Sequence, residues 1–225
     1  MPRRPEAFEQ GTLDGLCGVY SIVNSIVWAL RTYPPRERHK RGSRRLPSDA
    51  ELGDLFVMLL SHLVRGRRHL KPVVDGTNST QLVRLLSKGS DWLSEHRRLT
   101  LVVRQPFQGR KCVPTAHIAN TLGRHLARPG SAVIVGIEAP LDHWTVVRQV
   151  TRKRLLLLDS AGATHLSMTE WGERCQRSAG LVRPNNIFLL KLTGAPRRPQ
   201  ARLQRGQVSK AGGSTSRSNG ACHDR

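Results

Sequence analysis

The sequence predicts an α+β fold, with helices first and a mostly antiparallel sheet after them. Three observations carry this. Apolar residues recur at helical spacing in the first half and at strand spacing from about residue 99 onward. A capping box, Ser48-Asp49-Ala50-Glu51, and a second capping position at Asn78 or Ser79 mark helix starts in the first half. Two β-rich runs, 143–150 and 154–159, are separated only by residues near Thr151-Arg152-Lys153, which reads as a hairpin. Strands joined so tightly run antiparallel, and helices segregated from strands belong to the α+β class.

The elements follow in order. Residues 1–16 read as an extended leading segment. Residues 17–31 are apolar on most faces, which predicts a buried helix. Residues 33–47 are rich in proline and basic side chains and predict a loop. Behind the capping box, Leu52, Leu55, Phe56, Leu59, Leu60 and Leu63 form one helical stripe. Leu82, Leu85 and Leu86 predict a short helix capped by Asn78 or Ser79. A strand is expected over 99–103. Residues 114–126 return to helical spacing, with Pro114 suited to a helix start. A buried strand over 132–137, the hairpin, a short helix over 169–175 and a last strand over 187–192 complete the expectation. Beyond residue 193 the chain turns to Gly, Ser, Arg, Gln and Pro with almost no large apolar residues. We therefore expect one domain over 1–193 and a disordered basic tail over 194–225. No internal repeat, G-x-G-x-x-G or Walker A pattern is present.

The 225 residues include 37 Lys plus Arg against 16 Asp plus Glu, a net charge of +21 that attracts polyanions. The excess is uneven. Residues 31–45 and the tail from 195 carry seven basic residues each against one acid each, so together they hold +12 of the +21. Only Tyr33 offers an aromatic ring among these arginines, so base stacking has little support. Solvated basic segments with weak nucleic-acid or other polyanion association are the expectation, rather than a dedicated nucleic-acid site. The four cysteines, Cys17, Cys112, Cys175 and Cys222, show neither C-x-x-C spacing nor a dense disulfide pattern. With no apolar leader after Met1-Pro2-Arg3-Arg4, a reducing cytoplasm is expected. The longest apolar run, 16–30, is short for a membrane span and contains Ser21, Asn24 and Ser25. No His or Cys pair has ligand spacing, so neither a metal nor a cofactor is expected.

Cys17 is the residue that points to chemistry. It falls in Asp14-Gly15-Leu16-Cys17-Gly18, at the start of the first helix. There the positive end of the helix dipole and unpaired N–H groups favour a thiolate. A thiolate nucleophile needs a base, and His143 opens the hairpin. The base needs an orienting acid, and Asp159 closes the run Leu155-Leu156-Leu157-Leu158. A carboxylate ending a buried strand is costly unless paired, and a histidine pairs with it. The Cys17 N–H is one oxyanion donor, and Gln10 is the best side-chain candidate for another. Each residue also has an ordinary reading: Cys17 as a small buried hydrophobe, His143 as a strand histidine, Asp159 as a turn residue before Ser160-Ala161-Gly162. Asp142 is read as surface, and Trp144 as core or cleft wall.

Gln10, then Asp14-Gly15-Leu16-Cys17-Gly18, then His143-Trp144-Thr145-Val146-Val147, then Leu158-Asp159-Ser160 resembles the papain-like cysteine peptidase superfamily, nearest to the bacterial C39-like peptidases. The resemblance covers roughly residues 8–192 in three short patches. It implies a papain-like fold, with the nucleophile's helix packed on the sheet. It also implies a catalytic set of Cys17 as nucleophile, His143 as base, Asp159 as orienting acid and Gln10 as oxyanion donor. Gln10 lies seven residues before Cys17 where that family usually has about six, and Leu16 stands where many members carry a polar residue. The implied reaction is hydrolysis of a peptide or isopeptide bond in a protein or peptide substrate. Two alternatives stay open: transglutaminase-like or deamidase-like acyl transfer at the same site, and a non-catalytic module gripping polyanions through the basic loop and tail.

Overall fold

The computed structural model describes residues 7, 9, 15–33, 46–65, 71–138, 142–168 and 182–194. All lie in a unit spanning Met1–Ala195, which separates from Pro196–Arg225. The expected basic loop is described only at its ends. The expected helix over 169–175 and the tail beyond residue 194 lie outside the described residues.

The fold is α+β. Helices α1 (Cys17–Thr32), α2 (Asp49–Val64), the single turn α3 (Lys71–Val74) and α4 (Ser79–Arg97) precede strand β1 (Leu99–Arg104). Then come α5 (Thr115–Leu126), β2 (Ser131–Ile137), β3 (His143–Val150), β4 (Arg154–Leu158), β5 (His165–Ser167) and β6 (Val182–Gly194). The six strands form one sheet in the order β1-β6-β2-β3-β4-β5, antiparallel at every pairing.

Two apolar layers sandwich this sheet. One joins α1, α2 and α4 to Leu101, Ile134, Trp144, Val146, Phe188 and Leu190. The other joins Ile118 and Leu122 of α5 to Val133, Val135, Val147, Leu155 and Leu189. The alternation along each strand is the reason: neighbouring residues such as Val146 and Val147 point to opposite faces. Helix α1 is covered on most sides, with Val19, Ile22, Val23, Ile26 and Ala29 fully buried. Each such large side chain contributes roughly 1.5–3 kcal/mol of burial free energy. Its polar residues are satisfied internally: Ser21 Oγ donates to the Trp144 carbonyl at 2.8 Å and Ser25 Oγ to the Ile22 carbonyl at 2.8 Å. The Ser21 bond ties α1 to β3.

The helix starts are chemically explicit. Ser48 accepts from the Glu51 N–H while Glu51 reaches back to the Ser48 N–H, and Asn78 and Gln81 repeat this reciprocal pattern. Helix α4 is longer than the short helix the sequence predicts. Its buried stripe continues from Leu82, Leu85 and Leu86 through Gly89, Trp92 and Leu93. The polar residues between them fill the exposed face. Strand β6 also exceeds the expected 187–192, because its ends pair with both β1 and β2. Strand β5, too short and polar to show a pattern, is added to the far edge by pairing with β4. Among the described residues no helix is long and apolar enough to cross a membrane.

Candidate active site

Cys17 is the first residue of α1. The residue before it, Leu16, has no polar side chain to cap the helix, and the first turn holds no acid. The first-turn N–H groups are therefore not taken by a capping side chain, and the positive helix end lies at the thiol. Cys17 is 4 % exposed. Its sulfur lies 4.0 Å from the Gly15 carbonyl, the long limit for a thiol donor.

Gly15 and Gly18, on either side of Cys17, are packed against a neighbouring segment. A Cβ on Gly15 would lie 2.6 Å from the Gly76 N and 2.7 Å from the Val74 carbonyl oxygen. A Cβ on Gly18 would lie 2.8 Å from the Thr77 Cβ. The Gly15 N–H donates to the Val73 carbonyl at 2.5 Å. The missing side chains let the turn around Cys17 press against the 73–77 segment.

The hairpin sets the other two residues. Val146 of β3 pairs with Leu158 of β4. One step further along that ladder places Asp159 level with Thr145 and diagonal to His143, within reach of a long side chain. The His143 Nε2 is 2.7 Å from Asp159 Oδ2. The other carboxylate oxygen, Oδ1, accepts from the Ala161 N–H at 2.9 Å and the Ala163 N–H at 3.2 Å. Asp159 thus bonds both the imidazole and the backbone of the following turn. It shapes the turn that ends β4, and it orients the imidazole. With Nε2 committed to Asp159, Nδ1 is the nitrogen left for Cys17.

Burial disfavours the imidazolium of His143, whose side chain is 15 % exposed. Hydrogen bonds and charge from Asp159 and Cys17 outweigh burial and raise its pKa to about 9. Burial also opposes ionisation of Asp159, whose side chain is fully enclosed. Hydrogen bonds from His143 and the Ala163 N–H, with the charge of the ring, nonetheless hold it below its ordinary value. Thr145 adds to this. Its buried Oγ1 has no hydrogen bond of full geometry, yet it lies close enough to favour the carboxylate. Cys17, His143 and Asp159, which lie 126 and 16 residues apart in sequence, therefore form one connected set. At neutral pH a protonated imidazole therefore stands beside the Cys17 sulfur.

A cleft of about 530 Å³ opens onto His143. Its walls include Gly76, Thr77, Asn186, His143 and Trp144. Cys17 does not itself line it; the nucleophile's turn touches the wall through Gly15 and Gly18. Trp144 is buried, stands edge-on to Phe188, and donates from Nε1 to the Thr77 carbonyl. It is both core and cleft wall. Asp142 is exposed, as expected, but it precedes β3 at a positive φ of 38° and lines the cleft. Asp75 and Glu138 line it too, and no lysine or arginine among the described residues does.

The role of the 73–77 segment is not visible in sequence reasoning, which sees Asn78 only as a cap. The one signal is the run Asp75-Gly76-Thr77, a turn sequence facing no partner that the sequence can name. Gln10 and Asp14 lie outside the described residues. Three other described histidines are engaged elsewhere: His125 with the Leu190 carbonyl, His96 with the Trp92 carbonyl, His117 edge-on to Phe107. No model of a known protein family matches the chain, and no curated protein matches it.

Proposed function

We propose that the protein is a cysteine hydrolase of papain-like type that cleaves peptide or isopeptide bonds. The observation that carries this is the convergence of Cys17, His143 and Asp159 at a helix start beside an open cleft. In the proposed reaction the Cys17 thiolate attacks the carbonyl carbon. The Cys17 N–H and its neighbours in the first turn hold the oxyanion. His143 gives its proton to the leaving amine, and the C–N bond breaks to leave a thioester on Cys17. A water then gives its proton to His143 and attacks the thioester, releasing a carboxylic acid and regenerating the thiolate–imidazolium pair. Asp159 keeps the ring oriented throughout. The absence of lysine and arginine from the described cleft walls, with Asp75, Asp142 and the Arg183-paired Glu138 among them, suits a neutral or basic peptide better than an acidic one.

The test is labelling of the full chain with a peptide carrying a thiol-directed electrophile, read by mass spectrometry. Cys17 is expected to be modified, and Cys17→Ala to lose the label while melting normally. Labelling that survives Cys17→Ala at the same rate, for instance at the exposed Cys112, would end this reading. Product analysis separates hydrolysis from transfer: a new amine terminus marks peptide cleavage, and ammonia marks attack on a side-chain amide.

A further inference from the structure

The face of the sheet away from α1 carries a second concave site. Helix α5 covers β2 and β3 on this face and leaves a groove of about 410 Å³ beside β1 and β6. Its floor is Val102 and Arg104 of β1 with Leu189, Lys191 and Thr193 of β6. These share one face because Val102 pairs with Lys191 and Arg104 with Leu189, and alternate residues point the same way. The last turn of α5 and the residues after it add Arg124, His125 and Arg128.

Four cations therefore converge from three elements, and among the described residues no acid lines the groove. Among the described residues none of Arg104, Arg124, Arg128 and Lys191 forms an ion pair. The negative end of the helix dipole accounts for a cation or two at the end of α5. It does not account for Arg104 and Lys191, which come from the sheet. The crowding is felt: burial and then the charge of Arg128 lower the pKa of Lys191. Burial, with the charges of Arg128 and Lys191, likewise lowers that of His125 against its hydrogen bond to Leu190. Uncompensated like charges held at a concave surface are a site whose missing component is an anion. The hydrogen-bond donors are of the kind that suits phosphate oxygens: three guanidinium forks and an ammonium.

We propose that the groove between α5 and the β1–β6 edge binds phosphate groups, at a site separate from the Cys17 cleft. The site takes either a free polyphosphate or successive phosphates of a nucleic-acid backbone. Among the described residues the groove lining holds no Phe, Tyr or Trp, so recognition is of charge and not of bases.

The test uses the full chain with two probes, sodium tripolyphosphate and a duplex of about 20 base pairs, titrated at about 0.15 M salt. The variant Arg124→Gln/Arg128→Gln/Lys191→Gln is compared with Arg197→Gln/Arg198→Gln/Arg202→Gln, which removes the same charge from the sequence beyond residue 195. The groove variant is expected to weaken binding of the preferred probe about a hundredfold, roughly fivefold for each charge, and the control to change it by less than about twofold. Loss of tripolyphosphate binding with duplex binding retained identifies a free polyphosphate as the ligand. Loss of both, with the duplex the tighter ligand, identifies a backbone. Equal weakening by the two variants, or no measurable binding of either probe to the wild type, overturns the proposal. Should the triple variant fold poorly, Arg124→Gln alone decides. That side chain is exposed and makes a 3.4 Å bond to the Asn120 carbonyl, and its loss should cost about fivefold in binding without changing the melting midpoint.

Discussion

Replacing Asp159 by asparagine should collapse the charge state of His143. The carboxylate divides its work, Oδ2 to the imidazole Nε2 and Oδ1 to two backbone N–H groups. Asparagine has one carbonyl oxygen. If that oxygen keeps the Ala161 and Ala163 N–H bonds, the amide NH₂ faces Nε2, and a ring that must accept there cannot be an imidazolium. If it turns to the ring instead, the Ala161 and Ala163 N–H groups lose their acceptor. Either way the Asp159 contribution, the larger of the two that offset burial, is gone, and only that of Cys17 remains. Moving the pKa of His143 from 6.5 to about 9 corresponds to roughly 3 kcal/mol of preference for the charged ring, shared between Asp159 and Cys17. We expect the Asp159→Asn midpoint to fall to about 6.5 or below. The assay is NMR titration of ¹³C-labelled histidine, with His143 assigned by its loss in His143→Gln. Folding linkage gives a second readout. A raised histidine pKa stabilises fully below pH 6.5 and loses that contribution as pH climbs through about 9. A lowered aspartate pKa stabilises above 3.8 and loses it as pH falls further. The wild type should therefore lose stability between pH 6.5 and 9, and Asp159→Asn should lack that decline. A wild-type midpoint near 6.5, or an Asp159→Asn midpoint still near 9, would refute the reasoning.

Gly15→Ala forces a methyl against backbone atoms at 2.6 and 2.7 Å, so the nucleophile's turn must part from the 73–77 segment. It should destabilise by roughly 1–3 kcal/mol in urea denaturation and slow Cys17 alkylation, and an unchanged rate and midpoint would contradict the packing account. Trp144→Phe keeps a ring against Phe188 but orphans the buried Thr77 carbonyl. A loss of about 1–3 kcal/mol is expected, with faster amide hydrogen exchange near residue 77 as the check. Ser48→Ala removes half of the α2 capping box and should cost about 1 kcal/mol in chemical denaturation without affecting Cys17 alkylation.

Much of the fold was legible because its signals are local. The capping residues Ser48 and Asn78, the apolar run of α1 and the hairpin from His143 to Asp159 each announce themselves within a few residues. The expected bounds of β2, β3 and α5 differ from those observed by about a residue. What stayed hidden depends on partners far away in sequence. Trp92 and Leu93 extend α4 because α1 and the sheet lie beneath them, and β5 exists only as an addition to β4. The site divides in the same way. Cys17, His143 and Asp159 could be named because each sits at an element end that chemistry makes conspicuous. The neighbour of Gly15 and Gly18 could not, since the sequence shows that they are small and not what they leave room for.

Strand β6 has a consequence for how the protein is made. It is the last strand among the described residues, and it lies second in the ladder, between the edge strand β1 and β2. A nascent chain released only as far as residue 181 already carries the sulfur, the imidazole and the carboxylate, but its sheet lacks the strand that joins β1 to β2. Strand β1 is then unpaired, and Trp144 has no Phe188 beneath it. Completion of the sheet that carries His143 must therefore wait for residues 182–194 to leave the ribosome, so translation itself sets the moment at which the fold can close.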